Sequence, residues 1–291
     1  MTVLSLFQRL FVASRPISWV NTAYPFALTY YLLTGSVDLT LVVGTFFFLV
    51  PYNLVMYGVN DVFDYASDLA NPRKGGVEGA LLPPESHRAV LLACGLCSLP
   101  FLLYLWWVSP LVAGLFLALL MLDVVGYSMP PLRTKERAFL DSLTSSIHFV
   151  GPAVYAVFLT GTPWSASLIF IMVSFLAWGM AAHAFGAVQD ILPDRTAGLS
   201  SIATVLGACT TVRLAISFWA LSGLLLLLVG WPISLLAVLV TPYIAMAAPF
   251  IHITDDTSMK TNRGWRHFLW INYSVGFLLT LFIIAIHLIA D

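Results

Sequence analysis

Two short segments, Asn60-Asp61-x-x-Asp64-x-x-x-Asp68 and Gln189-Asp190-x-x-x-Asp194, gather five carboxylates into two clusters, each opened by an amide. Residues spaced i, i+3 and i+7 fall on one helix face, so Asp61, Asp64 and Asp68 are predicted to line up. Hard divalent cations favour such oxygen donors. Mg²⁺ commonly takes one or two carboxylates and completes its shell with substrate phosphates and water. The chemistry suggested is therefore metal-assisted handling of a diphosphate ester. Asn53, Tyr57 and Asn60 extend the first acidic face upstream, and His183 shares the face of Asp190. Asp194 lies beyond Pro193, where the helix is predicted to kink or break. Read plainly, these acids would only balance nearby cations at helix ends, but five at ligand spacing in two places favour a metal. Asp38, Glu85, Asp255, Asp256 and Asp291 lack that spacing and are read as solvated.

A metal and a diphosphate need counter-charge. The segment from Tyr127 to Arg137 supplies Arg133, Lys135 and Arg137 beside a Pro-Pro turn, and Arg73 and Lys74 follow the first acidic cluster. Arg195 follows the second. The planar fork of arginine suits phosphate oxygens best. Asp123, His148 and His183 lie within or near apolar segments, where an ionisable group is a functional candidate by default. Asn21 belongs with them. Each could instead be a hydrogen-bonded core residue. Some aromatic residues, such as Trp19, Tyr24 and Phe26, could stabilise a carbocation through their ring faces.

The elements that must position these groups are apolar helices. Of 291 residues, 60% are hydrophobic and only 9% charged, against about 25% charged in soluble domains. The chain is thus an integral membrane protein, and its net charge of −1 argues against a nucleic-acid partner. A span needs roughly 20 apolar residues, and nine candidates are found: 16–34, 39–59, 89–108, 111–127, 140–160, 165–188, 212–229, 232–251 and 268–290. Of the 13 Lys and Arg residues, twelve fall before the first span or in alternate loops after the second, fourth, sixth and eighth, and Arg213 is the second residue of the seventh span, at the end that follows the sixth. By the positive-inside rule these regions, the N-terminus and both acidic clusters face the cytoplasm of a multi-pass protein in the cell membrane. The odd span count then places Asp291 outside. The expected fold is all-α, a polytopic bundle of nine transmembrane helices around a central cavity open to the bilayer. It forms a single domain over 1–291, with possible halves 1–137 and 138–251 and a ninth helix at 266–291. Cys94, Cys97 and Cys209 are too few for a disulfide framework and are read as core or lipid-facing residues. The stretch Met1 to Val12 has no small-residue cleavage site and is not read as a signal peptide.

The segment Asn60-Asp-Val-Phe-Asp-Tyr-Ala-Ser-Asp68 resembles the NDxxDxxxD motif of the UbiA-type intramembrane prenyltransferases. Asp190-Ile-Leu-Pro-Asp194, with Arg195 and Gly198, is similar to that family's second acidic motif. The segment from Tyr127 to Lys135 resembles its loop between the fourth and fifth helices. Within the family, residues 14–26 and 183–190 resemble the bacterial and archaeal lycopene elongases, which make fifty-carbon carotenoids. The resemblance implies Mg²⁺ on Asp61, Asp64, Asp68, Asp190 and Asp194, and an allylic diphosphate donor, dimethylallyl diphosphate. It also implies a lipophilic acceptor, lycopene, entering from membrane lipid. Pyrophosphate would leave as an allylic cation forms, and attack by a terminal double bond would give a tertiary cation that loses a proton or captures water. Asp123, His148 or His183 could take the proton. An aromatic, quinone-type acceptor fits the same residues. An ion-coupled transporter fits less well, because such proteins usually place ionisable groups at the bilayer midplane. Oligomeric state is not legible in the sequence.

Overall fold

The computed structural model of the chain describes residues 5–70 and 81–290. The described residues are almost entirely helical and include no strand. They fold as two compact units, one of residues 1–135 with 147–163 and one of residues 136–146 with 164–291.

The first unit opens with α1 (Leu6–Ala13), started by a capping box in which Ser5 and Gln8 bond each other's backbone N–H. Arg15, at a positive φ of 49°, and a 3₁₀ turn over Pro16–Ser18 lead into α2 (Val20–Thr34). This helix fills the place of the first predicted span. At 15 residues it rises only about 22 Å, short of a hydrocarbon core of about 30 Å. Next come α3 (Leu39–Leu49) and α4 (Pro51–Phe63), which together make one apolar stretch. Their junction falls at Pro51, whose ring lacks the N–H that a continuous helix would use. Then follow α5 (Tyr65–Ala70), α6 (Pro84–Val108) and α7 (Leu111–Ser128). The next helix, α8 (Leu140–Thr160), contributes residues 147–160 to this unit and 140–146 to the other. Eight stretches among the described residues are long and apolar enough to cross a membrane.

Aromatic rings centre the first unit. Phe26 lies 5.1 Å from Phe48, Phe48 lies 5.1 Å from Tyr52, and Tyr155 of α8 closes on Phe26 at 6.0 Å. Gly44 lets Phe26 approach α3, since a Cβ there would overlap the ring.

The second unit contains α9 (Ala166–Val188), α10 (Ile191–Thr196), α11 (Ile202–Leu206), α12 (Ala208–Val229), α13 (Thr241–Ala247) and α14 (Asn262–Ala290). Small residues join α9 and α12, with Ser174 and Ser222 hydroxyls 2.9 Å apart. This is expected where lipid supplies no hydrophobic drive between helices, and close backbone packing must. Phe185, Trp219 and Tyr243 form the buried core, with Trp219 and Tyr243 stacked at 5.7 Å.

Two acids read as solvated are structural. Asp38 caps α3 by accepting from the Leu41 N–H at 2.8 Å and from the Tyr30 hydroxyl at 2.8 Å. Asp255 accepts from the Ala208 N–H at the start of α12. Each supplies an acceptor that a helix N-terminus lacks, a role invisible to a search for metal-ligand spacing.

Candidate functional site

In the first unit, α4 carries Asp61 wholly buried and ends at Asp64, which is its C-cap. The predicted continuous acidic face is therefore interrupted by one residue. Asp64 bonds Asn60 O through its N–H at 2.9 Å, and its carbonyl accepts from the Asp68 N–H at 2.8 Å. Aspartate is a weak helix former whose short side chain competes for local donors, and Asp64 accepts from the Asn60 amide at 2.7 Å. Asp68, also buried, lies in the first turn of α5.

Cations converge on these acids. Lys135 forms an ion pair with Asp64, and an Arg133 guanidinium nitrogen lies 3.6 Å from the same carboxylate. Both come from the segment after α7, and Arg133 adopts a positive φ of 37°. Asn60 also donates to Ser128 Oγ at 2.9 Å, linking the acidic segment to the end of α7. Asp61 pairs with Arg15 at 2.8 Å, and the Arg15 guanidinium sits 4.2 Å above the Tyr57 ring. Arg15 was not among the sequence candidates. Its position 46 residues before Asp61 gives no local spacing to find, although its place in the basic segment before the first apolar span was legible.

Asn53 is buried and donates to Thr22 Oγ1 at 2.7 Å and Phe48 O at 2.9 Å, so its amide joins α4 to α2 and α3. Asn21 is half-buried on α2. Arg73 and Lys74 lie outside the described residues.

Deeper in this unit, Asp123 of α7 faces His148 of α8, with Oδ2 and Nε2 3.4 Å apart. The His148 ring meets the edge of Tyr127 at 5.0 Å, and its carbonyl accepts from the Tyr52 hydroxyl at 3.0 Å. Asp123 lines a pocket of about 240 Å³ together with Leu119, Leu122, Gly126, Leu132 and Thr134.

In the second unit, α9 ends at Val188 and α10 begins after Asp190. The helix therefore breaks earlier than Pro193. Pro193 sits in the first turn of α10, where its missing N–H leaves no intrahelical bond unmade. Asp190 is the N-cap of α10 and Asp194 lies in its first turn, both half-buried. The Asp194 N–H donates to Asp190 O at 2.9 Å. Gln189 accepts from Asn262 of α14. Arg195 bonds Asp255 at 2.7 Å and Thr204 O at 2.8 Å, which ties α10 to neighbouring turns. Arg137 is exposed, and its carbonyl accepts from the Asp141 N–H.

His183 lies 3.5 Å from Asp141, a buried acid the sequence reading passed over. Asp141 accepts from the Ile202 N–H at 2.7 Å and the Ser142 N–H at 2.8 Å. Its place in the first turn of α8, followed by Ser142, was the available signal.

No three His, Cys, Asp or Glu side chains among the described residues converge into a ready metal cage. The oxygen donor set nevertheless fits Mg²⁺, which needs only one or two carboxylates when substrate phosphates complete its shell.

Residues 23–287 match the model of the UbiA prenyltransferase family. A lycopene elongase/hydratase of Corynebacterium glutamicum is 48% identical over 276 residues, covering 95% of this chain and 96% of its own length. The C(50) beta-cyclic carotenoids biosynthesis protein LbtBC of a Dietzia species is also 48% identical, over 94% of this chain and 64% of its own. In fold, the chain resembles a UbiA homologue from Archaeoglobus fulgidus bound to DMAPP and Mg²⁺. That likeness has a TM-score of 0.65 at 15% identity and covers 92% of this chain and 98% of the other.

Proposed function

The chain belongs to the UbiA prenyltransferase family, and on that premise we propose that it transfers the prenyl group of dimethylallyl diphosphate to lycopene, using Mg²⁺. It is a multi-pass membrane prenyltransferase. The observation that carries the site is the meeting of buried Asp64 with Asn60, Arg133 and Lys135 in one unit. Carboxylates for a metal and cations for phosphate oxygens stand side by side there. Asp61, Asp64, Asp68, Asp190 and Asp194 are the proposed Mg²⁺ ligands. When bound, the metal neutralises charge on the leaving pyrophosphate. Arg133 and Lys135 contact the diphosphate oxygens, and their charge grows more favourable as the allylic C–O bond breaks. Asn60 orients Asp64, and Arg15 holds Asp61. Tyr127, Arg137, Arg73 and Lys74 complete the proposed diphosphate environment. Asn53, engaged in helix contacts, acts by holding the first unit's helices, and Arg195 by holding α10 within the second unit.

The acceptor assignment rests on the two relatives at 48% identity, one named a lycopene elongase/hydratase and the other a fifty-carbon carotenoid biosynthesis protein. A terminal double bond of lycopene attacks the allylic cation. The tertiary cation so formed then loses a proton or captures water. The one-sided distribution of Lys and Arg supports a cytoplasmic N-terminus and diphosphate site.

The test is expression in lycopene-producing bacteria, with carotenoids profiled by mass. Products heavier by one or two five-carbon units, absent with Asp64→Ala, are expected. Unchanged lycopene, with the protein verified in the membrane and donor in excess, overturns the acceptor and moves the search to aromatic acceptors.

A further inference from the structure

Among the described residues two histidine–acid pairs lie in or beside the apolar helices, and of these the Asp123 pair is placed to act on a substrate. The Asp141 carboxylate paired with His183 already accepts two backbone N–H groups, from Ile202 and Ser142. It is held by the chain ends it caps. Asp123 differs. Its Oδ2 faces His148 Nε2 at 3.4 Å without accepting a hydrogen bond from any described residue, and its side chain lines an open pocket at 18% exposure. A carboxylate kept there costs free energy, and no capping duty accounts for it.

The location is as informative as the pair. Leu119 and Leu122, beside Asp123 in the pocket wall, are exposed apolar residues of a membrane-spanning helix. Leu132 and Thr134, which also line it, flank Arg133 in the chain and adjoin Lys135, the two cations on Asp64. Gly126 lets this segment close on α7, since a Cβ there would lie 2.7 Å from Leu132 Cδ1. Asp123 is five residues before Ser128, which bonds Asn60, and so sits about 7.5 Å along the helix from the acidic segment. One pocket therefore has an apolar flank and a carboxylate, and two of its lining residues, Leu132 and Thr134, are chain neighbours of the cations on Asp64.

We propose that Asp123 is the catalytic residue that ends the reaction, accepting the proton released when the tertiary carotenoid cation is discharged, and that His148 is its positioning residue. The inference rests on the prenyl transfer proposed above. On one branch, a water oxygen donates its electron pair to the cationic carbon, a C–O bond forms, and a water proton passes to Asp123. On the other, a C–H bond beside the cationic carbon breaks, its electron pair forms a C=C bond, and the proton passes to Asp123. Either way the carboxylate becomes a neutral acid and returns its proton to water. Its negative charge also stabilises the substrate's positive charge before the proton moves. His148 sets the carboxylate's orientation, being itself fixed by the edge of Tyr127 and by the Tyr52 bond to its carbonyl.

The experiment uses the full chain in lipid nanodiscs with lycopene, dimethylallyl diphosphate and Mg²⁺, measuring pyrophosphate release and carotenoid products separately. Asp123→Asn should lower prenylated carotenoid formation by about 10²-fold or more, the scale of a lost general base, with the donor KM unchanged. Pyrophosphate release should fall less, so that donor is consumed without product. Asp123→Glu should restore part of the yield, and His148→Gln should shift the ratio of hydroxylated to unsaturated product. If Asp123→Asn does not fold, Asp123→Glu and His148→Gln carry the test through that ratio. Wild-type yield and ratio in the variants overturn the dyad while leaving the transferase reading intact. A wild-type protein that makes no product from lycopene overturns the acceptor reading, and the dyad's role with it.

Discussion

Arg15 and Asp61 provide a measurement of how much of the acidic site is built by long-range pairing. The guanidinium lies 2.8 Å from Asp61 and 4.2 Å from the centre of the Tyr57 ring, with the two side chains 16% and 0% exposed. A hydrogen bond between charged groups contributes about 1.5–3 kcal/mol, and a ring–cation contact about 0.5–1 kcal/mol. Arg15→Leu should therefore destabilise the protein by about 2–4 kcal/mol, the larger part through Asp61. Asp61→Asn keeps shape and removes charge, so Arg15→Leu should cost much less in that background. The coupling between the two changes is then about 1.5–3 kcal/mol. Two kcal/mol alters the unfolding equilibrium constant about thirtyfold. The assay is reversible unfolding in mixed micelles titrated with SDS, for the wild type, both single variants and the double. Shielded from water, the pair should also respond little to added salt. Single effects that add within about 0.5 kcal/mol, the range expected for independent sites, would refute the pairing.

Three further outcomes are expected. Asp64→Asn and Asp190→Asn should each reduce prenyl transfer by at least about 10²-fold, because a ligand that holds the Mg²⁺ on the leaving pyrophosphate is lost, and Asp64→Asn should also lower stability through its pairs with Arg133 and Lys135; activity within tenfold of the wild type would remove that residue from the metal set. Asp141→Ala should destabilise the protein by about 1–3 kcal/mol by leaving the Ile202 N–H buried without its acceptor, and His183→Gln by much less, as read from the same unfolding curves. Asp38→Ala should cost about 1 kcal/mol through loss of the α3 cap. The Leu41 N–H is the largest influence and holds the Asp38 carboxyl below its usual range; burial opposes it, and the Tyr30 hydroxyl adds to the lowering. A lowered folded-state value means that this stability is fully present above the unfolded carboxylate value of about 4 and is lost as pH falls through the folded value. Asp38→Asn should flatten that acid limb, and an unchanged limb would show that another carboxylate sets it.

The sequence by itself determined which segments are apolar, where the charges fall, and that acids and cations cluster beside the same helix ends. Those features are local: an apolar run needs only its length, and the acidic motifs only their spacing. The helix over 140–160 is found with the predicted bounds. The positions of breaks were less legible. Pro193 drew the second break too late, because proline is tolerated in a first helical turn, and the interruption at Asp64 depends on which donors its side chain finds. Only the tertiary structure decided that Arg15 serves Asp61, that Asp141 rather than His183 starts a helix contact, and that Asp123 faces both a pocket and His148. In these helices the lipid face and the packed face are both apolar, since lipid tails resemble leucine. Hydrophobic periodicity then cannot say which side turns inward, and the partner of a polar group is fixed only when the helices pack.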